Sequence, residues 1–230
     1  MRIVVQDLIL EVTRRCNMCC DHCLRGCAEN MDMKKETVDK VLDSVDEIGT
    51  ITFTGGEPTL NLPVIRYFFE EAEKRGKLPY SFFIATNGKE NQLELAKLLL
   101  EWFPKMEDPD VCGVTVSRDI FHEDIEENYL KGLSFCNSSK DLSKEKEYKW
   151  VLNRGRAYEF GIGENNRKIR ELYYEFYPDI DECSIEQMYV SADENILGDC
   201  DLPFKEQEEN RFSTLDELRT VLEKKAAEEE

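Results

Sequence analysis

The chain has 230 residues, 41% hydrophobic and 34% charged, which bounds it to one well-packed domain, or a domain with a small appendage, and excludes a disordered chain. Its formal net charge of −19, from 49 acidic residues against 30 Lys and Arg with no basic run longer than two, disfavours nucleic-acid partners, although Arg154 with Arg156 makes a local basic patch. A membrane span needs about 18 consecutive apolar residues and none occurs; the early polar residues of Met1–Asp7 do not read as a secretory signal, so the expected location is cytoplasmic.

Leu8–Thr13 reads as a first strand. Lys34–Ile48 follows as a helix, because Val38, Val41, Leu42, Val45 and Ile48 recur at three- and four-residue spacing, and Gly49 is placed to close it with a left-handed cap. Thr50–Thr54 is a short strand running into Gly55-Gly56-Glu57-Pro58. A helix over Pro63–Arg75 buries Ile65, Phe68, Phe69 and Ala72 and ends at Gly76. Tyr80–Ala85 is an apolar strand before Thr86-Asn87-Gly88, a turn that serves structure or ligand equally well. A helix over Asn91–Phe103 leads to a strand at Val111–Val116, then Ser117-Arg118-Asp119.

The spacing next predicts a helix over His122–Leu133, a polar loop over Ser138–Lys146, a fifth strand over Tyr148–Leu152 and a helix over Arg167–Phe176. Gln187–Val190 and Ile196–Gly198 are expected to pair as a hairpin. A last helix begins near Ser213 or Thr214, where Thr214 and Glu217 fit a capping box. Alternating strands and helices imply a parallel sheet flanked by helices, with ligands beyond the carboxyl ends of the strands.

Nine cysteines are present, five of them crowded between Cys16 and Cys27, the others being Cys112, Cys136, Cys183 and Cys200. An odd count concentrated on one loop argues for metal rather than disulfides. Cys16, Cys20 and Cys23 stand in a C-x3-C-x2-C spacing, able to reach three irons of a cubane cluster and leave the fourth open. A structural zinc site, a redox pair or buried thiols are the other readings; contiguous Cys16/Cys19 and Cys20/Cys23 pairs wrap a single tetrahedral ion awkwardly. Cys19 and Cys27 are read as spectators.

The C-x3-C-x2-C spacing, together with Gly55-Gly56-Glu57-Pro58 after the second strand, resembles the radical S-adenosylmethionine (radical SAM) enzymes, over about residues 8–157. The resemblance implies an α/β fold, a partial (β/α)6 barrel with a [4Fe-4S] cluster near its rim. It also implies chelation of S-adenosylmethionine by the open iron and reductive cleavage to a 5′-deoxyadenosyl radical that abstracts hydrogen from a substrate. An electron donor such as flavodoxin or ferredoxin is implied as well. Gly55 and Gly56 would let the backbone approach the ligand, and Glu57 would accept hydrogen bonds from the methionyl ammonium. Ser117 and Asp119 resemble a position contacting the cofactor's polar groups; a helix N-cap is their other reading. Asn153 and Arg154 would face the methionyl carboxylate, or Arg154 forms a surface salt bridge. His22, before the last cysteine, would flank the adenine, or is a plain loop histidine.

Cys183 and Cys200, framing Asn195, resemble the opening half of an auxiliary-cluster (SPASM or twitch) domain. No cysteine follows Cys200, so a hairpin remnant without an auxiliary cluster is expected. The division expected is residues 1–160 as the core and 161–230 as the barrel's end, the hairpin and a terminal helix. The remnant tilts the expected substrate toward a peptide or protein side chain, ahead of a small metabolite or nucleotide; a non-catalytic iron–sulfur or zinc protein is the alternative of a different class.

Overall fold

Residues 1–123, 125, 129–138 and 150–229 are described by the computed structural model. Strand β1 (Arg2–Thr13) is buried along almost its whole length, which the continuous apolar run Leu8-Ile9-Leu10 requires of a strand covered on both faces. Helix α1 (Lys35–Ser44), β2 (Glu47–Gly55), α2 (Leu62–Arg75), β3 (Ser81–Thr86), α3 (Gln92–Trp102) and β4 (Gly113–Val116) then alternate. β5 is Cys136–Ser138, and α4 is the single turn Gly155–Glu159. Beyond it come β6 (Tyr174–Tyr177), β7 (Glu182–Val190), β8 (Asn195–Leu197), β9 (Ser213–Thr214) and α5 (Leu218–Glu229).

These strands make one nine-stranded sheet in the order β5-β4-β3-β2-β1-β7-β8-β9, with β6 also on β7. All neighbours from β5 to β7 are parallel, and β6, β8 and β9 are antiparallel additions. The architecture is the expected α/β partial barrel carrying a C-terminal hairpin and helix. Its sixth parallel strand is the first arm of that hairpin, set against β1 rather than beyond β5. The core lies between sheet and helices: Phe53, Phe68, Phe69, Phe82 and Trp102 interlock, with Phe69 stacked on Trp102 at 5.2 Å. All five are essentially buried, and truncating one such aromatic ring costs about 3–5 kcal/mol.

Several boundaries differ from expectation. α1 stops at Ser44, and Ile48 and Gly49 belong to β2. Gly49 is needed there because a Cβ would stand 2.5 Å from the Gln6 carbonyl oxygen of β1. Gly76 does cap α2 in the left-handed region, φ 65°, its N–H reaching Ala72 and Glu73. Asp124 and residues 126–128, within the span expected for the His122–Leu133 helix, lie outside the described residues, as do residues 139–149. These include nearly all of the expected Ser138–Lys146 loop and the start of the Tyr148 strand. The described parts show a 3-10 turn at Leu130–Gly132 and a lone bridge from Leu152 to Asn165. Residues 167–173 are not helical; the alternation in Tyr174-Glu175-Phe176-Tyr177 makes β6 instead, pairing with β7. In the β7–β8 turn Glu194, not Asn195, takes the left-handed position at φ 69°. Helix α5 starts at Leu218, with Thr214 N–H and Oγ1 both donating to Glu217. Among the described residues no helix is long and apolar enough to cross a membrane.

Candidate functional site

The parallel strands deliver their carboxyl ends to one rim, and the cysteine loop begins where β1 stops at Thr13. Gly56 N–H donates to Thr13 O and Glu57 N–H to Arg15 O, both at 2.8 Å, which staples the end of β2 to the root of the loop. A Cβ on Gly55 would lie 2.0 Å from Thr13 O, and one on Gly56 would lie 2.3 Å from Arg15 O; Gly55 also has φ 140°. The two glycines therefore serve a backbone-to-backbone approach, where the sequence suggested an approach to ligand.

Cys16, Cys20 and Cys23 line a cavity of about 340 Å³ that also meets Gly55, Gly56, Glu57, Asn87 and Ser117. Cys19 and Cys27 are exposed and do not line it. Burial pushes the Cys16 and Cys23 thiols up, and backbone N–H groups at Met18, Arg25 and Gly26 partly offset this. No disulfide forms among the described residues.

Glu57 is buried, 1% exposed. Its Oε1 accepts from Thr59 N (3.1 Å), Thr59 Oγ1 (2.7 Å) and Thr86 Oγ1 (2.7 Å), and Oε2 accepts from Asn87 N at 2.7 Å. One carboxylate thus joins the ends of β2 and β3, leaving acceptor capacity on Oε2. Asn87 in turn donates to Asn17 at 2.8 Å and approaches Cys16 Sγ at 3.9 Å. The Thr86-Asn87-Gly88 turn positions the cysteine loop.

The two histidines of the chain meet at Asp119. His122 Nδ1 is 2.8 Å from Asp119 Oδ1, and His22 Nε2 is 3.6 Å from Oδ2. His22 stacks on Phe121 at 4.5 Å and meets Trp150 edge-on. Burial lowers His22 despite Asp119; burial acts the same way on His122, but its hydrogen bonds to Asp119 and Cys20 push it up to about 9. Of the expected pair, Ser117 lines the cavity and Asp119 does not; Asp119 is held by His122 and by Phe121 N–H at 2.8 Å, a local turn and not the cap of a helix.

Asn153 and Arg154 do not line the cavity either. Arg154 is taken up by Asp199 (3.4 Å) and by the carbonyls of Asp201 (2.7 Å) and Arg167 (2.9 Å), which corrects its expected place against a ligand carboxylate. Its neighbours matter more. Gly155, at φ 54°, would put a Cβ 2.3 Å from Leu24 O and 2.7 Å from Cys23 O. Arg156 N–H donates to Cys23 O at 2.9 Å, its Nε to Cys20 O at 3.0 Å, and its NH2 to Asp21 at 3.0 Å. Gly155→Ala is therefore expected to displace the cysteine loop and lower bound iron per chain after reconstitution. Gly161→Ala, with φ 65° but open space around it, adds only about 1–2 kcal/mol of backbone strain and leaves iron content intact.

The model of the radical SAM superfamily matches residues 10–135, more than half of the chain. The chain belongs to the radical SAM superfamily. An uncharacterized protein of Methanocaldococcus jannaschii is 41% identical over 64 residues, 26% of this chain and 22% of that relative, so the match spans well under two thirds of its length. Among solved structures, BtrN in complex with AdoMet and 2-DOIA is similar with a TM-score of 0.57 at 17% identity, covering 94% of this chain and 80% of BtrN. SuiB of Streptococcus suis, bound to precursor peptide SuiA, has a TM-score of 0.42 at 13% identity, covering 85% of this chain and 60% of SuiB.

Membership of the radical SAM superfamily implies a [4Fe-4S] cluster and S-adenosylmethionine, and the residues present fit both. Thiolates are the donor type such clusters take, and three of them line one cavity. On the wall, His22 Nδ1 is a buried polar atom without a hydrogen-bond partner among the described residues. The sequence does not place Arg25, Cys200 or Asp201 at this cavity. All three line it, and their signal is long-range: Arg25 donates to Leu202 O at 2.8 Å, and Phe204 N–H donates back to Arg25 O. Cys183 is fully buried in the main core whereas Cys200 packs beside Tyr189 and Leu202, so the two thiols belong to separate environments.

Proposed function

We propose that Cys16, Cys20 and Cys23 hold the cluster and that the enzyme acts on a peptide or protein side chain entering the cavity beside Cys200 and Asp201. The observation that carries the cofactor reading is the convergence of those three thiols with Gly55-Gly56-Glu57 on one cavity. When bound and reduced, the cluster supplies the electron that cleaves the S–C5′ bond of S-adenosylmethionine.

The chain's own part is geometric. Glu57 locks β2 to β3 and offers Oε2 to an ammonium; Ser117 and Asn87 supply polar groups on the same wall, and His22 offers Nδ1 and a ring face. Cys19 and Cys27 take no part. The C-terminal hairpin supports the peptide reading, because it carries Cys200 and Asp201 to the wall where the substrate would lie. The fold likeness to BtrN, whose complex contains 2-DOIA, favours a second reading, a small-molecule substrate. A reducing, cytoplasmic setting and an electron donor of flavodoxin or ferredoxin type complete the proposal.

Anaerobically reconstituted protein given S-adenosylmethionine and dithionite is expected to release 5′-deoxyadenosine. A four-iron protein that releases none sinks the proposal. Release is then compared with a pool of short synthetic peptides and with a pool of aminocyclitols. Stimulation by the aminocyclitols alone overturns the peptide reading in favour of the second.

A further inference from the structure

The cysteine loop lies in an acidic chain, yet one cation on its cavity makes no contact ion pair among the described residues. Arg25 is nine-tenths buried, at 9% exposure, and lines both the 340 Å³ cavity and the adjoining 250 Å³ pocket, each of which also contains Cys16, Cys20 and Cys23. Among the described residues it makes no ion pair. Its contacts there are neutral: Leu202 O at 2.8 Å and the Tyr189 ring, whose centroid is 5.0 Å from the guanidinium carbon.

The other arginines nearby are all committed. Arg14 pairs with Glu11, Glu29 and Asp193, Arg156 with Asp21, and Arg154 and Arg167 with Asp199. Glu11, which favours the charged form of Arg25 from beyond ion-pair distance, already accepts from Arg14, Gln207, Tyr189 and Ala192. A buried guanidinium that makes no contact ion pair is costly; Glu11 and Asp201 favour its charged form from beyond ion-pair distance, and its positive field reaches the cavity that it lines.

We propose that Arg25 is the cation that offsets the charge of the thiolate-bound cluster and thereby raises its reduction potential. The thiolates of Cys16, Cys20 and Cys23 make a four-iron cluster net negative, and reduction adds one further negative charge in a poorly solvated place. A fixed positive charge favours the reduced form more than the oxidised one, and cluster potentials respond to local charge. Arg25 is a positioning residue in this role. Tyr189, Leu202 and the backbone at Phe204 hold it, which gives the C-terminal segment a part in electron uptake.

The proposal rests on the cluster reading of the three cysteines, and redox titration of the reconstituted enzyme, followed by its spectrum and reduced-cluster resonance, tests it without turnover. Arg25→Gln is expected to shift the midpoint negative, with an about tenfold lower ratio of reduced to oxidised cluster at the native midpoint, which is 59 mV for a one-electron couple. Arg25→Lys, which keeps the charge, stays nearer the native value. Cys200→Asp, which brings a carboxylate beside the guanidinium, moves the midpoint in the same direction as Arg25→Gln and remains informative if that variant does not load. Unchanged midpoints in loaded Arg25→Gln and Cys200→Asp overturn the proposal, as does a lower melting temperature of Arg25→Gln with a native midpoint, which would make Arg25 structural only. A native chain that takes up no cluster at all, by iron and sulfide count, sinks the underlying reading and this proposal with it.

Discussion

Single replacement of Cys16, Cys20 or Cys23 by Ala is expected to abolish the cluster and with it all release of 5′-deoxyadenosine, whereas Cys19→Ala and Cys27→Ala retain both. The contrast is large because a cluster held by three protein thiolates has no spare ligand. Cys19 and Cys27 are exposed thiols that line the adjoining 250 Å³ pocket but not the 340 Å³ cavity, which sets them apart from the three cavity thiols. Iron per chain and the visible absorption of the reconstituted protein read the outcome. Full iron in Cys16→Ala, or loss of iron in Cys19→Ala, would reassign the ligand set.

The second large effect concerns stability. Glu11→Ala removes a fully buried carboxylate whose Oε1 accepts from Arg14 Nε at 2.7 Å and Ala192 N–H at 3.1 Å, and whose Oε2 accepts from Gln207 at 2.7 Å and from the Tyr189 hydroxyl. The buried Arg14 charge loses a partner and three further donors lose their acceptor. Breaking one side of such a buried pair costs about 3–5 kcal/mol. For a chain of this size that lowers the melting temperature by on the order of 10 °C. Glu11→Gln keeps one acceptor oxygen while Arg14 keeps Glu29 and Asp193, so its loss is expected to be under half as large. Equal melting temperatures for native and Glu11→Ala protein would show that this network adds nothing net.

The first half of the site was legible because it is local. The thiol spacing lies within eight residues, and Gly55-Gly56-Glu57 follows directly on a strand. Helices α1, α2 and α3 showed as apolar stripes at helical spacing. What was missed depends on partners far along the chain. Gly155 looks like an ordinary turn glycine until Leu24 O is seen 2.3 Å from where a Cβ would be, and Arg25 looks like a surface residue until Leu202 and Tyr189 enclose it. Arg154 reads as a rim cation and is instead claimed by Asp199, a buried acid 45 positions later. Residues 167–176 carry apolar side chains at spacings compatible with a helix, but the free edge of β7 captures Tyr174–Tyr177 as a strand. Tertiary pairing overrides local pattern there.

The placement of β7 between β1 and β8 has a consequence for how the molecule is made. Strand β1 precedes the strand on one of its sides, and the Gln207 that shares its Glu11, by some 180 residues or more. Until then β1 presents an open, strongly apolar edge, the kind of template that pairs with other chains. Contacts at such sequence distance form slowly, so the nascent chain holds this edge exposed until residues 182–207 have been made. Closure of the sheet and enclosure of Arg25 beside the cysteine loop then both wait on residues 182–204, which couples the cysteine loop to that later segment.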